Sequence, residues 1–355
     1  MIAKEGVPVQ EWNRIVEESP NGLIFHLSDW LDILESTQRI RLIRYGLYSD
    51  QDGNELVGVF PVFVGHYGPI RVAGSPLIVE DTPYMGPVCA DHLLIDALRA
   101  TQVAVRKEAS YFRALLHCTL SEVDCSQLQS EGFVCITKHT HKLDLTKGIE
   151  SVWKNMEGRC RTSVRKAEKA EIAVTKVSGL PEGFVALSSY YRLVDDVYHR
   201  QKRQPPNPLE LFRRLWEKLY LKGMLSLFMA RLHGRDIGGI LLAHYKGRVY
   251  YLDGASDRQF AAHCATNLLL WKAIQWSNAE GYREFDFVGS DIPRLSNFKA
   301  SFGGELTSYL CLEHANSPYL RVLRRWYGSW GKLMLRRVDG LIRKALLIRK
   351  LGAGS

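Results

Sequence analysis

Hydrophobic positions along this 355-residue chain follow two periods, and the switches between them mark out its elements. From Asp29 to Ser36 apolar residues recur at Trp30, Ile33 and Leu34, a helical spacing, with Ser28 placed to cap the first turn. LIRYGLYSD and ELVGVFPVFV then alternate or run apolar on either side of an Asp-Gly-Asn turn, which predicts a β-hairpin. A helix over Leu93–Glu108, a strand over Phe112–Cys118, and a short helix stopped at Gly132 before another strand follow. After about residue 148 the pattern restarts with a basic helix over Ile149–Lys169. Helices over Phe184–Arg200 and Leu209–Lys222 come next, split by a proline-rich break, PPNP. Strands follow in SLFMARL, IGGILLAHY and VYYLDGA, then a helix over Thr266–Glu280 closed by Gly281, and a strand in YREFDFV. ELVGVFPVF and DIGGILLAHY occupy corresponding places in two halves of similar size, so the order of elements points to a duplicated α/β unit.

Composition adds limits. The length suits two domains, and 46% apolar with 24% charged residues is ordinary for a soluble globular protein. No apolar run is long enough for a membrane-spanning helix, and the opening MIAKEGVPVQEW lacks the apolar core of a signal peptide. The seven cysteines are odd in number, scattered and without a CxxC pair. That pattern suits a reducing cytoplasm and argues against a disulfide framework or a structural zinc site. His139 and His141 alternate along a strand but lack a third ligand nearby, so they read as surface histidines and no metal is expected. Charge is concentrated at one end: residues 318–355 hold ten Lys and Arg against one acid, an excess equal to the whole net charge of +9.

Three pieces of Tyr251–Glu305 carry a resemblance. They are Tyr251–Ser256 on a strand, the helix and strand ending in Phe285-Asp286-Phe287, and Phe298-Lys299 followed by Phe302-Gly303-Gly304-Glu305. VWKNMEGRCRTSVRKAEKAEIAV, IFHLSDW and the Met85–Pro87 turn with Asp91 beyond it extend the match over nearly all of residues 20–312. Together they resemble the Fem-like acyltransferases, a two-domain branch of the GNAT superfamily. The resemblance implies an α/β (α+β) fold of two tandem GNAT-like domains, each a mixed, largely antiparallel sheet flanked by helices. The expected boundaries are 1–147 for the first domain, 148–317 for the catalytic second, and 318–355 for a basic amphipathic helix whose start packs on the first domain.

Amide formation by acyl transfer needs an activated ester or thioester beside a neutral amine, and stabilisation of the tetrahedral oxyanion. No Ser-His-Asp or Cys-His motif is evident, which favours direct transfer. Lys299, read as a loop residue, is the candidate for positive charge at the oxyanion or a donor phosphate, and the resemblance assigns the matching lysine to the donor side. Asp253 and Asp286 are the leading candidates for the base, with Asp257, Asp291 and Asp91 behind them. Asp286 lies between two phenylalanines on a strand, so its side chain points to the opposite face. Arg161, Arg165 and Lys169 share one helix face that could meet phosphates, with Lys166 beside them, or form a solvated face with intrahelical ion pairs. Tyr251, Phe298 and Asp91 complete the candidate substrate-binding set.

The donor stays open between aminoacyl-tRNA and acyl-CoA, with no cofactor bound permanently. An acyl-CoA site cradles pyrophosphate on a glycine-rich turn at a helix N-terminus. DRQFAAHCATN, which stands at that place, has Arg258 but no glycine, favouring aminoacyl-tRNA. Leu34 and Glu35 stand where peptidoglycan-directed Fem enzymes tend to carry a lysine, and Phe184–Lys222 has no room for their helical-hairpin arm. The expected acceptor is therefore an amine of a cell-envelope or polysaccharide precursor in the broad sense, free or lipid-linked. Two other readings are an acyl-CoA-dependent enzyme acting on an amino sugar, and a non-catalytic GNAT-like scaffold. In 318–355 apolar residues recur at three and four with basic residues between, the pattern of a helix that meets an anionic membrane surface or tRNA phosphates. The expected location is the cytoplasm, peripheral on the inner face of the membrane.

Overall fold

The computed structural model describes residues 1–317, 319, 320 and 322, apart from 39, 50–54, 68–69, 78–81, 118–122 and 124. The predicted Asp-Gly-Asn turn, Cys118 and nearly all of the basic segment 318–355 lie outside the described residues. In chain order the first half comprises β1 (Ile2–Glu5), α1 (Val9–Glu18), α2 (Ser28–Gln38), β2 (Arg41–Tyr48), β3 (Leu56–Tyr67), β4 (Ile70–Ser75), β5 (Val88–Cys89), α3 (Leu94–Val105), β6 (Tyr111–Leu116), α4 (Cys125–Ser130) and β7 (Val134–Asp144). Then come α5 (Ile149–Asn155), α6 (Gly158–Lys169), β8 (Ala173–Lys176), α7 (Leu180–Arg200), α8 (Leu209–Leu215), β9 (Leu225–Leu232), β10 (Arg235–Tyr245), β11 (Arg248–Ser256), α9 (Ala265–Ala279), β12 (Glu284–Asp286), α10 (Pro293–Ala300) and β13 (Glu305–Ala315).

The strands form one mixed sheet in the order β1-β2-β3-β4-β6-β13-β7-β12-β11-β10-β9-β8, with β5 alongside β3. Read from its two edges, the order is the same: four antiparallel strands, then one parallel neighbour, β6 beside β4 and β12 beside β11. The halves exchange their last strands at the centre. β13 lies between β6 and β7, and β7 lies between β13 and β12. The mixed sheet expected from the duplicated pattern is therefore present, with β3 and β10 in the corresponding places anticipated for them.

One face of the sheet is covered by α1, α2, α7 and α8, and buries Trp12, Trp30, Tyr190 and Trp216 completely. On the other face α5, α6 and α9 cover the second half, and α3 and α4 the first. Removing such large apolar side chains from water, at about 25 cal/mol per Å², is what holds the helices down.

Several elements differ from the sequence reading. The basic helix breaks at Met156-Glu157, where Met156 turns extended, buries its side chain, and Glu157 N–H bonds to the Ser301 carbonyl. The helix after PPNP ends at Leu215 and continues as a wider turn over Trp216–Tyr220. Lys299 is in α10, not in a loop. That helix has only 8 residues and begins at Pro293, too short and polar for its period to show. β1, α1 and β13 were likewise not anticipated.

Candidate active site

β11 and β12 run parallel over only three pairs, Arg248–Tyr250 with Glu284–Asp286. Beyond that point β11 stays with β10, bulging where Leu241 and Leu242 face Asp253 and Tyr251, so that Leu252 is the extra residue. The chain after β12 turns instead toward β7, through Phe287 N–H to the His141 carbonyl and Ser290 N–H to the His139 carbonyl. The two strands therefore open into a V. In the first half the corresponding V beside β6 is filled: Met85 bridges Leu116 in parallel and donates its N–H to the Leu115 carbonyl at 2.8 Å.

That filling segment reaches the second half. Thr82 accepts from the Trp30 indole at 3.0 Å, Gly86 N–H bonds to Ser75 Oγ, and Phe25 stands 5.0 Å from Trp30 and 5.1 Å from Tyr250. IFHLSDW and the Met85–Pro87 turn thus form one structural unit. It places the Tyr84 hydroxyl 3.0 Å from Asp286 at the root of the V.

Asp286 points away from Phe285 and Phe287, as its strand position predicts, and is fully buried. Its carboxylate accepts from Tyr84, from Thr140 at 2.6 Å and from Val288 N–H at 2.7 Å. Burial raises its pKa, although Lys142, Thr140 and Val288 pull the other way. Val288 and Gly289 are both left-handed, with φ of 53° and 56°, a costly conformation for a β-branched residue. Their carbonyls accept from Lys299 Nζ, so the loop is held between the Asp286 carboxylate and the Lys299 ammonium. Lys299 is 7% exposed, and burial lowers its pKa to about 8 against the opposite pull of Asp286 and Asp291.

Asp253 lies past the bulge on β11 and lines a cavity of about 30 Å³ with Val194, Tyr198 and Asn207, room for one small polar group. It accepts from the Tyr190 hydroxyl at 2.7 Å and from Gly254 N–H, and burial raises its pKa. Tyr251 is half-buried on β11, and burial, then Asp253, raises its pKa. Phe298 packs edge-on against Phe302 at 5.5 Å.

Other expected site residues are placed elsewhere. Arg161 donates to the carbonyls of Trp153, Lys154 and Met156, closing the end of α5. Arg165 is exposed over the Trp153 ring at 5.5 Å, and Lys166 is exposed beside it. Asp91 is exposed and accepts from Asn21 at 2.9 Å. Asp257 accepts from Gln259 N–H at 2.9 Å and from Arg235 at 2.7 Å, closing the turn before α9. Asp291 pairs with Lys138 at 3.1 Å. His139 and His141 do share one strand, but His141 is buried with Nδ1 2.9 Å from Ser290 Oγ, so it is no surface residue.

Sequence reasoning missed Tyr84, Thr140, Lys142, Glu284 and His117, which surround Asp286. His117, Glu284 and Asp286 bring ligand-type atoms within 4.8 Å of one another. Glu284 is already paired with Lys142 at 3.1 Å and lies 3.8 Å from Arg248, and those two cations make the trio a poor seat for a divalent ion. Only Tyr84 carried a sequence signal, its place next to the Met85–Pro87 turn.

Comparison with known proteins bears on the fold. Residues 154–300 match the family model described as an acetyltransferase (GNAT) domain. A search of curated proteins gives no match. Among solved structures, FemX superposes with a TM-score of 0.68 at 16% identity, over 91% of this chain and 99% of its own. The C-terminal domain of a candidate lysylphosphatidylglycerol synthetase from Agrobacterium fabrum gives 0.57 at 12%, over 91% and 96%. A tandem GNAT protein from the clavulanic acid biosynthesis pathway gives 0.53 at 12%, over 89% and 98%. Residues 154–300 thus match a GNAT acetyltransferase domain, and the chain as a whole shares the fold of FemX.

Proposed function

We propose that the chain transfers an aminoacyl group from aminoacyl-tRNA to an amine of a cell-envelope or polysaccharide precursor, forming an amide in the V between β11 and β12. The observation that carries the choice of donor is the turn before α9. An acyl-CoA site needs free backbone N–H groups there. Here Asp257 occupies one of them and adds a carboxylate, and residues 258–263 close into a 3-10 turn. Exposed Arg165, Lys166 and Lys169 on α6, which runs along α9 and this turn, offer phosphate contacts outside the V instead.

In this reading the acceptor amine enters beside Asp253. Its nitrogen attacks the ester carbonyl, the Asp253 carboxylate takes the amine proton, and as the carbonyl–oxygen bond breaks Asp253 returns that proton to the leaving ribose oxygen. Lys299 contributes positive field at the developing oxyanion. Asp286 is a positioning residue: enclosed by three donors, it fixes the loop that carries Val288 and Gly289. Tyr251 and Phe298 would shape the walls. Arg161 would support α6 from behind, and Asp91 the loop at Asn21. No helix among the described residues is long and apolar enough to cross a membrane. A peripheral cytoplasmic enzyme, meeting an anionic inner surface through 318–355, fits an envelope precursor as acceptor.

A second reading is acyl-CoA transfer to an amino sugar, and the GNAT domain match favours its donor. Incubation with radiolabelled aminoacyl-tRNA or acyl-CoA and a panel of amines separates the two. Label transfer abolished by RNase supports the first; transfer from acyl-CoA alone overturns it.

A further inference from the structure

Part of the cavity that Asp253 lines is closed by neither helix nor strand. Val194 and Tyr198 come from α7 and Phe212 from α8, but Pro205, Pro206 and Asn207 belong to the segment between those helices. At about 30 Å³ the cavity holds one water-sized group. An amine carried on a sugar or a peptide does not fit in it beside the carboxylate, so some of the lining has to move.

The segment between the helices is the part built to do so. Three of the five residues Gln204–Pro208 are prolines, which donate no backbone bond. Neither Gln204 N–H nor Asn207 N–H is bonded among the described residues. The prolines fix φ along the middle of this strap and keep it stiff. One end is a turn at Lys202, left-handed with φ of 56°, whose N–H bonds to the His199 carbonyl. The other end is Pro208, which caps α8. A segment with so few backbone bonds opens before the elements it joins.

Two side-chain bonds hold the strap down, both at Asn207, which is buried. The Tyr191 hydroxyl of α7 donates to the Asn207 carbonyl at 2.9 Å, and Gln38 Nε2 donates to Asn207 Oδ1 at 3.4 Å. Gln38 ends α2, so the second and longer bond comes from the other half of the chain. Neither Gln38 nor Tyr191 lines the cavity.

We infer that residues 201–207 form a gate beside Asp253, which lifts to admit the acceptor and is latched shut by Gln38. The inference rests on Asp253 being the group that meets the acceptor amine. Gln38 is a positioning residue: it acts through Asn207 and touches no substrate. With the gate down the carboxylate shares its cavity with one small group; with the gate up it can receive an amine on a larger skeleton. Because the latch spans the two halves, the first half keeps a hold on the second half's site although its own V is filled.

The test reads opening without turnover, so it stands apart from the chemical role given to Asp253. The full-length chain is treated with a water-soluble carbodiimide and glycinamide, and labelling at each carboxyl is followed by peptide mass spectrometry. Asp286, fully buried and enclosed by Tyr84, Thr140 and Val288 rather than by the strap, is the internal control. Gln38→Ala should speed labelling of Asp253 about threefold to tenfold, the equivalent of one hydrogen bond, with Asp286 unchanged. Tyr191→Phe, which removes the other anchor, should act in the same direction. Unchanged labelling of Asp253 in either variant overturns the proposal. So does an equal rise at Asp253 and Asp286, which would mean general loosening of the fold. Full turnover in Asp253→Asn, with faster labelling in Gln38→Ala, would instead remove the base and leave the gate in place.

Discussion

Tyr84 and Asp286, separated by 202 positions in sequence, are joined by a hydrogen bond of 3.0 Å inside the protein. The bond links the segment that closes the first V to the strand at which the second V opens. One half has given up its opening, and the segment that fills it, through Tyr84 next to Met85, reaches the root of the other half's opening.

Replacing that tyrosine should expose the dependence. Tyr84→Phe keeps the ring but removes a donor from a buried carboxylate, at a cost of about 1.5–3 kcal/mol. Chemical denaturation should show that loss. Turnover should fall as well, because Asp286 also holds Val288 N–H. A variant of natural stability and turnover would show that the loop is fixed without Tyr84.

Lys299 gives a prediction with a definite sign. Its pKa is lowered from 10.5 to about 8, so the folded protein prefers the neutral amine more than the unfolded chain does. The stabilising contribution is complete above pH 10.5 and is lost as pH falls through about 8, over a range of about 3 kcal/mol. Between pH 8 and 10 the natural protein should therefore gain stability relative to Lys299→Met, while turnover that depends on the ammonium declines. Parallel stability and rate profiles for the two proteins would remove Lys299 as an ionising group of the site.

How much of this was legible beforehand depends on how local each signal is. The duplicated order of elements, the two hairpins and the side to which Asp286 points follow from period alone, because apolar spacing is written in neighbouring residues. The surroundings of Asp286 do not. Tyr84, Thr140 and His117 come from three segments that meet only because the central strands are exchanged, and no local pattern encodes that exchange. Arg161 is the opposite case. Its spacing to Arg165 suggested a shared anion-binding face, and its Nη1 also meets three carbonyls at a helix end that sequence periodicity ran straight through.

The two arginines of α6 should accordingly fail in different ways. Arg161→Ala leaves the carbonyls at the end of α5 without their charged donor and should cost about 1–3 kcal/mol of stability. Arg165→Ala should leave stability within about 0.5 kcal/mol, since it is exposed. Under the tRNA reading it should weaken donor binding and flatten its dependence on salt by about one unit of slope. Equal salt slopes for Arg165→Ala and the natural protein would take α6 out of the donor contact.

Asp253 carries the sharpest test of the chemistry, because stability and activity should move in opposite directions. Burial raises its pKa, so the folded state favours the protonated carboxyl; its contribution to stability is present at low pH and is lost as pH rises through the folded pKa. Above its folded pKa the ionised group is therefore a burden on the fold, and there Asp253→Asn should be at least as stable as the natural protein. The same change removes the proposed proton acceptor and should lower turnover by about 10²–10⁴-fold. The pH–rate profile supplies the control. Its acid limb should lie above the usual carboxylate pKa of about 3.9. Tyr190→Phe, which deletes a donor to the charged form, should move that limb higher still, whereas Asp253→Asn should abolish it. If Asp253→Asn kept full turnover, the amine would be losing its proton to water or to another group, and the cavity under α7 would have no part in the reaction.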